Sequence, residues 1–210
     1  MRIILARHGQ TEWNAQQIFR GSADISLDGT GIRQAQALAE RLANYKIRNI
    51  YTSPLVRALK TAQIVGERVG VEPVAVNELI ELDCGRWQGM PLTKVKIDFP
   101  GMYEKWCEIP QSFVFPDGED LSIVRARVEP FLRRVVDEYA QGDVLIVSHR
   151  IINKVILCSL LRQENSCFGK FKQDVGAFHV IDFVEGSADI VSLNETKHLK
   201  GLLLNETSDF

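Results

Sequence analysis

The chain has 210 residues, 45% of them hydrophobic and 25% charged, an ordinary globular composition that excludes a disordered, collagenous or coiled-coil protein. Lys and Arg number 25 against 27 Asp and Glu, a formal net charge of -2 with no long block of one sign, which excludes bulk attraction to nucleic acid or to an acidic membrane surface. No run approaches the roughly 18 apolar residues of a spanning helix, and Met1 to Ala6 meets Arg7 and His8 too early for a signal sequence, so a soluble cytoplasmic protein is expected. Arg2 to Ala6 is apolar and β-branched and ends at Arg7-His8-Gly9, so it reads as a buried strand feeding a loop. After a polar stretch to Asp28, Gly29-Thr30-Gly31 leads into a helix with Ile32, Ala35, Leu38, Ala39 and Leu42 on one face. Asn49 to Thr52 predicts a second strand. Ser53-Pro54 reads as an N-cap followed by proline at the first helical position, opening a helix that carries Leu55, Ala58, Leu59, Ala62, Val65 and Val69 on one face and stops at Gly70. Glu72 to Val76 predicts a third strand.

The stretch from Asn77 to Gly118 contains Pro91, Pro100, Pro110 and Pro116, which allow only short helices such as Met102 to Glu108, so it reads as an insertion or lid. Glu119 to Tyr139 has a long helical pattern that Pro130 should kink rather than end. Asp143 to Val147 predicts a fourth strand, Arg150 to Leu161 a helix, and two further strands follow near 177–184 and 189–193 before a mixed tail. Strands alternating with amphipathic helices give the fold class: α/β, a three-layer sandwich with a mainly parallel central sheet and helices on both faces. One domain over 1–210 is expected, with a lid insertion around 77–118.

In such sheets ligands bind beyond the carboxyl ends of the strands, and four groups stand there. Arg7 and His8 follow the first strand, Arg57 the second, Glu81 the third and His149 the fourth. Residues far apart in sequence therefore converge on one edge. Cys84, Cys107, Cys158 and Cys167 form no C-x-x-C and share no metal-ligand spacing with His8, His149, His179 or His198, so free thiols are expected and neither a metal nor a cofactor. The sequons at Asn194 and Asn205 carry no meaning without a secretory signal.

Arg7-His8-Gly9-Gln10-Thr11-Glu12-Trp13-Asn14 resembles the R-H-G-x-T-x-x-N signature of the histidine phosphatase superfamily, which includes the cofactor-dependent phosphoglycerate mutases. Five specified positions at about 5% usage each would match by chance in about one chain of this length in ten thousand. Ser53 to Ala62 (SPLVRALKTA) is similar to that family's S-P-L-x-R-A-x-x-T-A, Glu81 to Gly89 to its E-x-x-x-G-x-W-x-G, and Val147-Ser148-His149 supplies the second histidine. The resemblance implies phosphoryl transfer through a phosphohistidine on His8, favoured as the unprotonated imidazole by the cations Arg7 and Arg57. Arg7, Arg57 and His149 would balance the charge on three equatorial oxygens. Asn14 and the Gly21 backbone resemble positions that touch the phosphate or its ester oxygen, and Glu81 resembles the proton donor, which would protonate the leaving alcohol and then activate water. The expected activity is a metal-independent phosphomonoesterase acting on a small phosphorylated metabolite. The alternatives are a phosphoglycerate mutase, whose family members carry a longer lid insertion, and a catalytically silent regulatory subunit, which the filled catalytic positions argue against. A homodimer through an edge strand or an apolar helix face is compatible with the resemblance.

Three positions depart from common family patterns. Arg20 precedes Gly21 where relatives carry glutamine or serine, Arg150 follows His149 where glycine is usual, and Cys84 occupies a variable position beside the site, where the metal-independent phosphoserine phosphatases that the Glu81-to-Met90 stretch also resembles carry histidine. Arg150 would sit at the positive end of a helix dipole and needs an anion: either a surface partner or solvent, or, with Arg20, a second anionic group on the substrate. Taken alone, each of these residues has a plainer reading. A lone histidine after a strand is usually a hydrogen-bonded loop residue, Arg7, Arg57 and Glu81 read singly as surface charges, Trp13, Trp87 and Trp106 as packing aromatics, and His179 and His198 as structural.

Overall fold

A computed structural model describes residues 1–138, 142–184 and 186–203, so that Tyr139 and the sequon at Asn205 lie outside the described residues. Strands β1 (Arg2–Arg7), β2 (Ile47–Thr52), β3 (Pro73–Ala75), β4 (Asp143–Ser148), β5 (Phe178–Val184) and β6 (Ser187–Glu195) form one sheet in the order β3-β2-β4-β1-β5-β6. The pairs β3-β2, β2-β4 and β4-β1 are parallel, and β1-β5 and β5-β6 are antiparallel. Successive side chains of β1 alternate between two cores. Ile3 and Leu5 pack with Val144, Ile146 and Ile181 on one face, and Ile4 and Ala6 with Leu145, Val147 and Phe178 on the other. A central strand covered on both faces has no polar side to show, which is why β1 and β4 read as unbroken apolar runs.

Helices α2 (Gly29–Leu42) and α3 (Val56–Val69) cover the second face through Leu38, Leu42, Ala58, Ala62 and Val65. The other face is covered by α6 (Leu121–Glu138) and α7 (Arg150–Leu160) through Val128, Phe131, Ile152 and Val155. Asp28 caps α2, its carboxylate accepting from Gly31 N at 2.8 Å. The expected cap of α3 is corrected. The helix begins at Val56, two residues past Pro54, with Leu55 at the N-cap, because Ser53 Oγ is taken by Leu55 N and the amide of Val56 finds Asp24 Oδ1 at 2.7 Å. Gly70 does end it, in the left-handed region at φ 74 with its amide on the Gly66 carbonyl. Helix α6 runs through Pro130, which has no amide to give the Ala126 carbonyl and lies on the exposed side, while Phe131, Leu132 and Val135 stay buried. A short helix not foreseen in the polar stretch, α1 (Glu12–Ala15), is closed by a capping box between Thr11 and Asn14.

The segment 77–118 holds α4 (Leu92–Asp98), α5 (Met102–Glu108) and three 3-10 turns. An aromatic cluster holds it together and ties it to the loops around it, through Phe19 at 5.0 Å from Trp87 and Phe168 at 5.7 Å from Trp106. Trp87 packs edge-on against Phe115 at 5.1 Å between ring centroids, and Trp106 lies 4.9 Å from the same ring. Cys84, Cys107, Cys158 and Cys167 are free thiols.

The loop after β1 is seated directly on the start of α2. A β-carbon on Gly9 would lie 2.3 Å from the Gly31 carbonyl oxygen, and one on Gly31 would lie 2.0 Å from that of Gln10, so both backbones need glycine to approach this closely. Gly31→Ala should therefore cost about 1–3 kcal/mol in urea denaturation. An unchanged midpoint would mean that the loop has room to move.

Candidate active site

Strands β1 and β4 pair in the register Arg7↔Ser148, so the next residue of each strand, His8 and His149, emerges side by side at the carboxyl edge of the sheet. The His8 amide donates to the Ser148 carbonyl at 3.1 Å, and the two imidazoles lie 5.2 Å apart between ring centroids. Strand β2, paired with β4 at Thr52↔Val147, delivers the chain into α3, which carries Arg57 in its first turn. Glu81 arrives from β3 and the turn at Asn77–Leu79, anchored by Ser148 Oγ donating to the Leu79 carbonyl at 2.8 Å. Arg7, His8, Arg57, Glu81 and His149 are all buried.

The environment of His8 fixes its chemistry. Its Nδ1 lies 2.6 Å from the Gly9 carbonyl oxygen, which can only accept, so Nδ1 carries the proton and the lone pair is on Nε2. Burial first, and then the positive charges of Arg57 and Arg7, push the imidazole well below its ordinary range, so it is neutral at neutral pH. His149 is held neutral by the same causes, burial foremost. Both of its ring nitrogens, and Nε of Arg57, are buried with no hydrogen-bond partner among the described residues. The donors among them, Arg57 Nε–H and the one N–H of His149, cost about 1–3 kcal/mol each unless an oxyanion accepts from them.

The arginines are braced by backbone carbonyls. Arg57 donates from Nη1 to the Ala23 carbonyl at 2.6 Å and from Nη2 to that of Gly21 at 2.9 Å. Burial draws it down to about 10, so it still carries its charge at neutral pH. Gly21 is left-handed at φ 48, and a β-carbon there would lie 2.7 Å from Cys84 Sγ. Arg7 Nη1 donates to the Gln173 carbonyl at 2.9 Å, and its own amide donates to Ala177 O, which Gln173 Nε2 also reaches. His179 completes this brace. Its Nδ1 accepts from the Asn194 amide, so Nε2–H donates to Gln173 Oε1 at 2.6 Å, while burial draws it down to about 4. His198 donates from Nε2 to the Gly176 carbonyl at 3.0 Å. Both histidines thus support the loop that holds Arg7.

Glu81 Oε1 accepts from the Leu82 amide at 3.0 Å and Oε2 from that of Ile151 at 3.4 Å, which directs the carboxyl between the sheet edge and the start of α7. Asn14 Oδ1 is taken up in the capping box by Thr11 N and Oγ1, and so helps to shape the loop. Arg20, buried at 9% exposure, donates to the Ile18 carbonyl at 3.3 Å. Arg150 is the first residue of α7 and is only 8% exposed, which corrects the plainer reading that its side chain reaches into solvent. Arg20, Gly21, Glu81, Cys84 and Arg150 line one cavity beside the histidine pair, walled by Trp106 and Phe168. Burial pushes the Cys84 thiol up to about 12, so it is no nucleophile at neutral pH. Lys154 also lines this cavity and is missing from the sequence reading, although a lysine four residues after Arg150 in a mostly apolar helix is a usable signal. Gln173 is the other omission. Among the described residues no group of three or more His, Cys, Asp or Glu side chains could hold a metal ion.

Residues 3–196 match the family model described as histidine phosphatase superfamily, branch 1. The chain belongs to the histidine phosphatase superfamily. Among histidine phosphatases it is 34% identical over 199 residues to phosphoserine phosphatase 1 of Hydrogenobacter thermophilus, covering 95% of this chain and 94% of that one. It is 31% identical over 195 residues to the adenosylcobalamin/alpha-ribazole phosphatase of Salmonella typhimurium, covering 92% and 96%. The structure of a mycobacterial glucosyl-3-phosphoglycerate phosphatase in complex with VO3 superposes with a TM-score of 0.86 at 26% identity, over 92% of this chain and 98% of that one. The superfamily's fold is thus the three-layer α/β sandwich read from the sequence. No helix among the described residues is long and apolar enough to cross a membrane.

Proposed function

We propose that this histidine phosphatase is a metal-independent phosphomonoesterase for a small phosphorylated metabolite. The observation that carries the reading is the tautomer of His8: a neutral imidazole with its lone pair on Nε2, buried beside two guanidiniums and a second neutral imidazole. Nε2 of His8 attacks phosphorus while the ester P–O bond breaks, and Glu81 gives its proton to the departing alcohol oxygen. The carboxylate so formed then takes a proton from water, whose oxygen attacks phosphorus. The P–N bond breaks, phosphate leaves and Glu81 is again protonated. Arg7, Arg57 and an N–H of His149 hold the equatorial oxygens through both steps, with Arg57 oriented by the carbonyls of Ala23 and Gly21 and Arg7 by Gln173. The segment 77–118 serves as the lid of a single domain, its aromatics walling the cavity that takes the alcohol half. A cytoplasmic location agrees with the four free cysteines.

The test is phosphate release from a panel of phosphorylated metabolites, with and without a chelator. Turnover of a subset of the panel is expected, with rates within about twofold of each other in the two arms, since guanidiniums and imidazole supply the charge that magnesium supplies elsewhere. Loss on chelation, restored by one specific metal, would overturn the metal-independent mechanism. Conversion of one phosphate ester into its isomer without phosphate release would reassign the chain as a mutase.

A further inference from the structure

The residues proposed to hold the transferring phosphoryl group are tied into a second set of buried polar side chains, with Gln173, from the loop before β5, at its centre. The Gln173 carbonyl accepts from Arg7 Nη1 at 2.9 Å. Its side chain meets three partners: Nε2 donates to the Ala177 carbonyl at 3.1 Å, and Oε1 accepts from His179 Nε2 at 2.6 Å and from Asn153 Nδ2 at 3.2 Å. Asn153 stands one turn along α7 from His149, whose carbonyl accepts from the Asn153 amide at 3.0 Å. The same loop grips the end of β1, since Ala177 O accepts from the Arg7 amide at 2.9 Å and the Gly176 amide donates to the His8 carbonyl at 3.0 Å. One side chain thus joins the strand end that carries Arg7 and His8, the helix start that follows His149, and β5.

This network admits one arrangement of protons. A carbonyl oxygen only accepts, so Gln173 turns Nε2 to Ala177 and Oε1 to its other neighbours, and Asn153 and His179 must both donate. His179 Nδ1 is then left to accept from the Asn194 amide at 3.1 Å. Asn194 is itself fixed. Left-handed at φ 49, which asparagine tolerates, it accepts at Oδ1 from the Asp174 amide and donates from Nδ2 to the Asp174 carboxylate, both at 2.8 Å. Arg7, His149, Asn153, Gln173 and His179 are all fully buried, so bulk water cannot stand in for a lost partner.

From this geometry we infer that Gln173, held in one orientation by His179, is a positioning residue for the proposed reaction, fixing Arg7 relative to His149 so that both meet the phosphoryl oxygens in the transition state. The inference rests on the phosphatase reading for what Arg7 and His149 hold, and goes beyond it by naming residues outside that group on which the rate depends. Phosphoryl transfer is governed by positioning and charge, and a misplacement of about 1 Å is enough to cost about a hundredfold. Gln173→Met keeps the chain length and the backbone carbonyl that accepts from Arg7, and removes the ties to Ala177, His179 and Asn153.

The experiment measures kcat and KM in Gln173→Met, His179→Gln and His179→Asn, together with inhibition by orthovanadate, which adopts the five-coordinate geometry of the transferring group, and by inorganic phosphate, which does not. In Gln173→Met, kcat should fall about ten- to a hundredfold with KM within about threefold, and vanadate affinity should fall by about the same factor as kcat while phosphate affinity changes less than about threefold. The two His179 variants separate positioning from support of the fold. Glutamine places a donor where Nε2 stands and can hold Gln173, whereas asparagine places its oxygen where Nδ1 stands and satisfies the Asn194 amide alone. Glutamine should therefore keep kcat within about threefold of wild type, and asparagine should lose about as much as Gln173→Met. Thermal midpoints report the contribution to stability separately, and all rates are taken well below them. Unchanged kcat and vanadate affinity in folded Gln173→Met overturn the inference, as do equal losses of vanadate and phosphate affinity, or a kcat in His179→Gln no higher than in His179→Asn. If Gln173→Met does not fold, the His179 pair decides alone. If no phosphate ester is hydrolysed, the phosphatase reading falls, and calorimetric binding of vanadate and phosphate to the same proteins decides the positioning role: a selective loss of vanadate affinity sustains it, and unchanged affinities or equal losses refute it.

Discussion

His8→Ala is expected to lower phosphate release by about four to six orders of magnitude on every ester, the scale of loss when a covalent nucleophile is removed from a group of residues acting as a unit. The fold should survive, because the ring packs against polar neighbours and donates from Nδ1 to the carbonyl of the adjacent Gly9, a contact local to the loop. Rapid acid quenching destroys a phosphoramidate, so the intermediate is sought in wild-type protein quenched in alkali, where a phosphohistidine persists. The pH profile adds an independent reading. Burial and the charges of Arg57 and Arg7 hold His8 well below the ordinary imidazole range, so the unliganded enzyme keeps its nucleophile unprotonated as pH falls through 6.5, and kcat/KM should decline from this cause only at lower pH. An acid limb centred at 6.5 and assigned to His8 by its loss of phosphohistidine formation would contradict the environment described. Appreciable turnover by His8→Ala, or a phosphoryl group trapped on another residue, would sink the nucleophile assignment.

Glu81→Gln should separate substrates by their leaving groups. Glutamine keeps the carbonyl oxygen that accepts from the Leu82 amide but cannot pass a proton, so esters of ordinary alcohols are expected to lose about two to four orders in kcat. An ester such as p-nitrophenyl phosphate departs as a stable phenolate and needs little protonation in the first step. Its burst of p-nitrophenol should therefore survive, with turnover limited afterwards by hydrolysis of the phosphohistidine, where the missing base is felt. A burst followed by slow steady state is the signature. Equal losses in burst and steady state on both kinds of ester would make Glu81 a positioning group and leave the proton donor to be found elsewhere.

Much of this architecture was readable because it depends on local pattern. Strands β1 and β4 are apolar without interruption since both faces are covered, α5 was bounded correctly by the prolines around it, and Gly70 stops α3 as a left-handed residue must. The cap of α3 was misread for a physical reason. Ser53-Pro54 is a good local cap, yet Asp24, more than thirty residues earlier, supplies the acceptor at Val56, and no local rule weighs a competitor that distant. The placing of the five central residues at one edge followed from topology alone, whereas what orients them did not. Gln173 braces Arg7 from a loop with no strand or helix signal, and its side chain is satisfied by His179 and Asn153, partners that only the folded chain brings together. Lys154 escaped notice because a lone lysine on a helix ordinarily marks the solvent side, and here the apolar surround was the clue.

The spacing of the two imidazoles is set by the register of β1 and β4, strands whose paired residues Arg2 and Asp143 stand 141 positions apart in the sequence. Catalysis is in that sense a late event of folding. Helices and the β2-β3 pair close short loops and can form early, but no partly folded chain that lacks the β1-β4 contact holds both histidines at one edge. During synthesis the pair cannot exist until the residues after His149 have left the ribosome, so a nascent chain remains chemically silent through most of its translation, however much helix it has already gathered. In refolding, the return of phosphatase turnover should accordingly trail the return of helical signal, with the enzyme's own product serving as a clock for its slowest strand pairing.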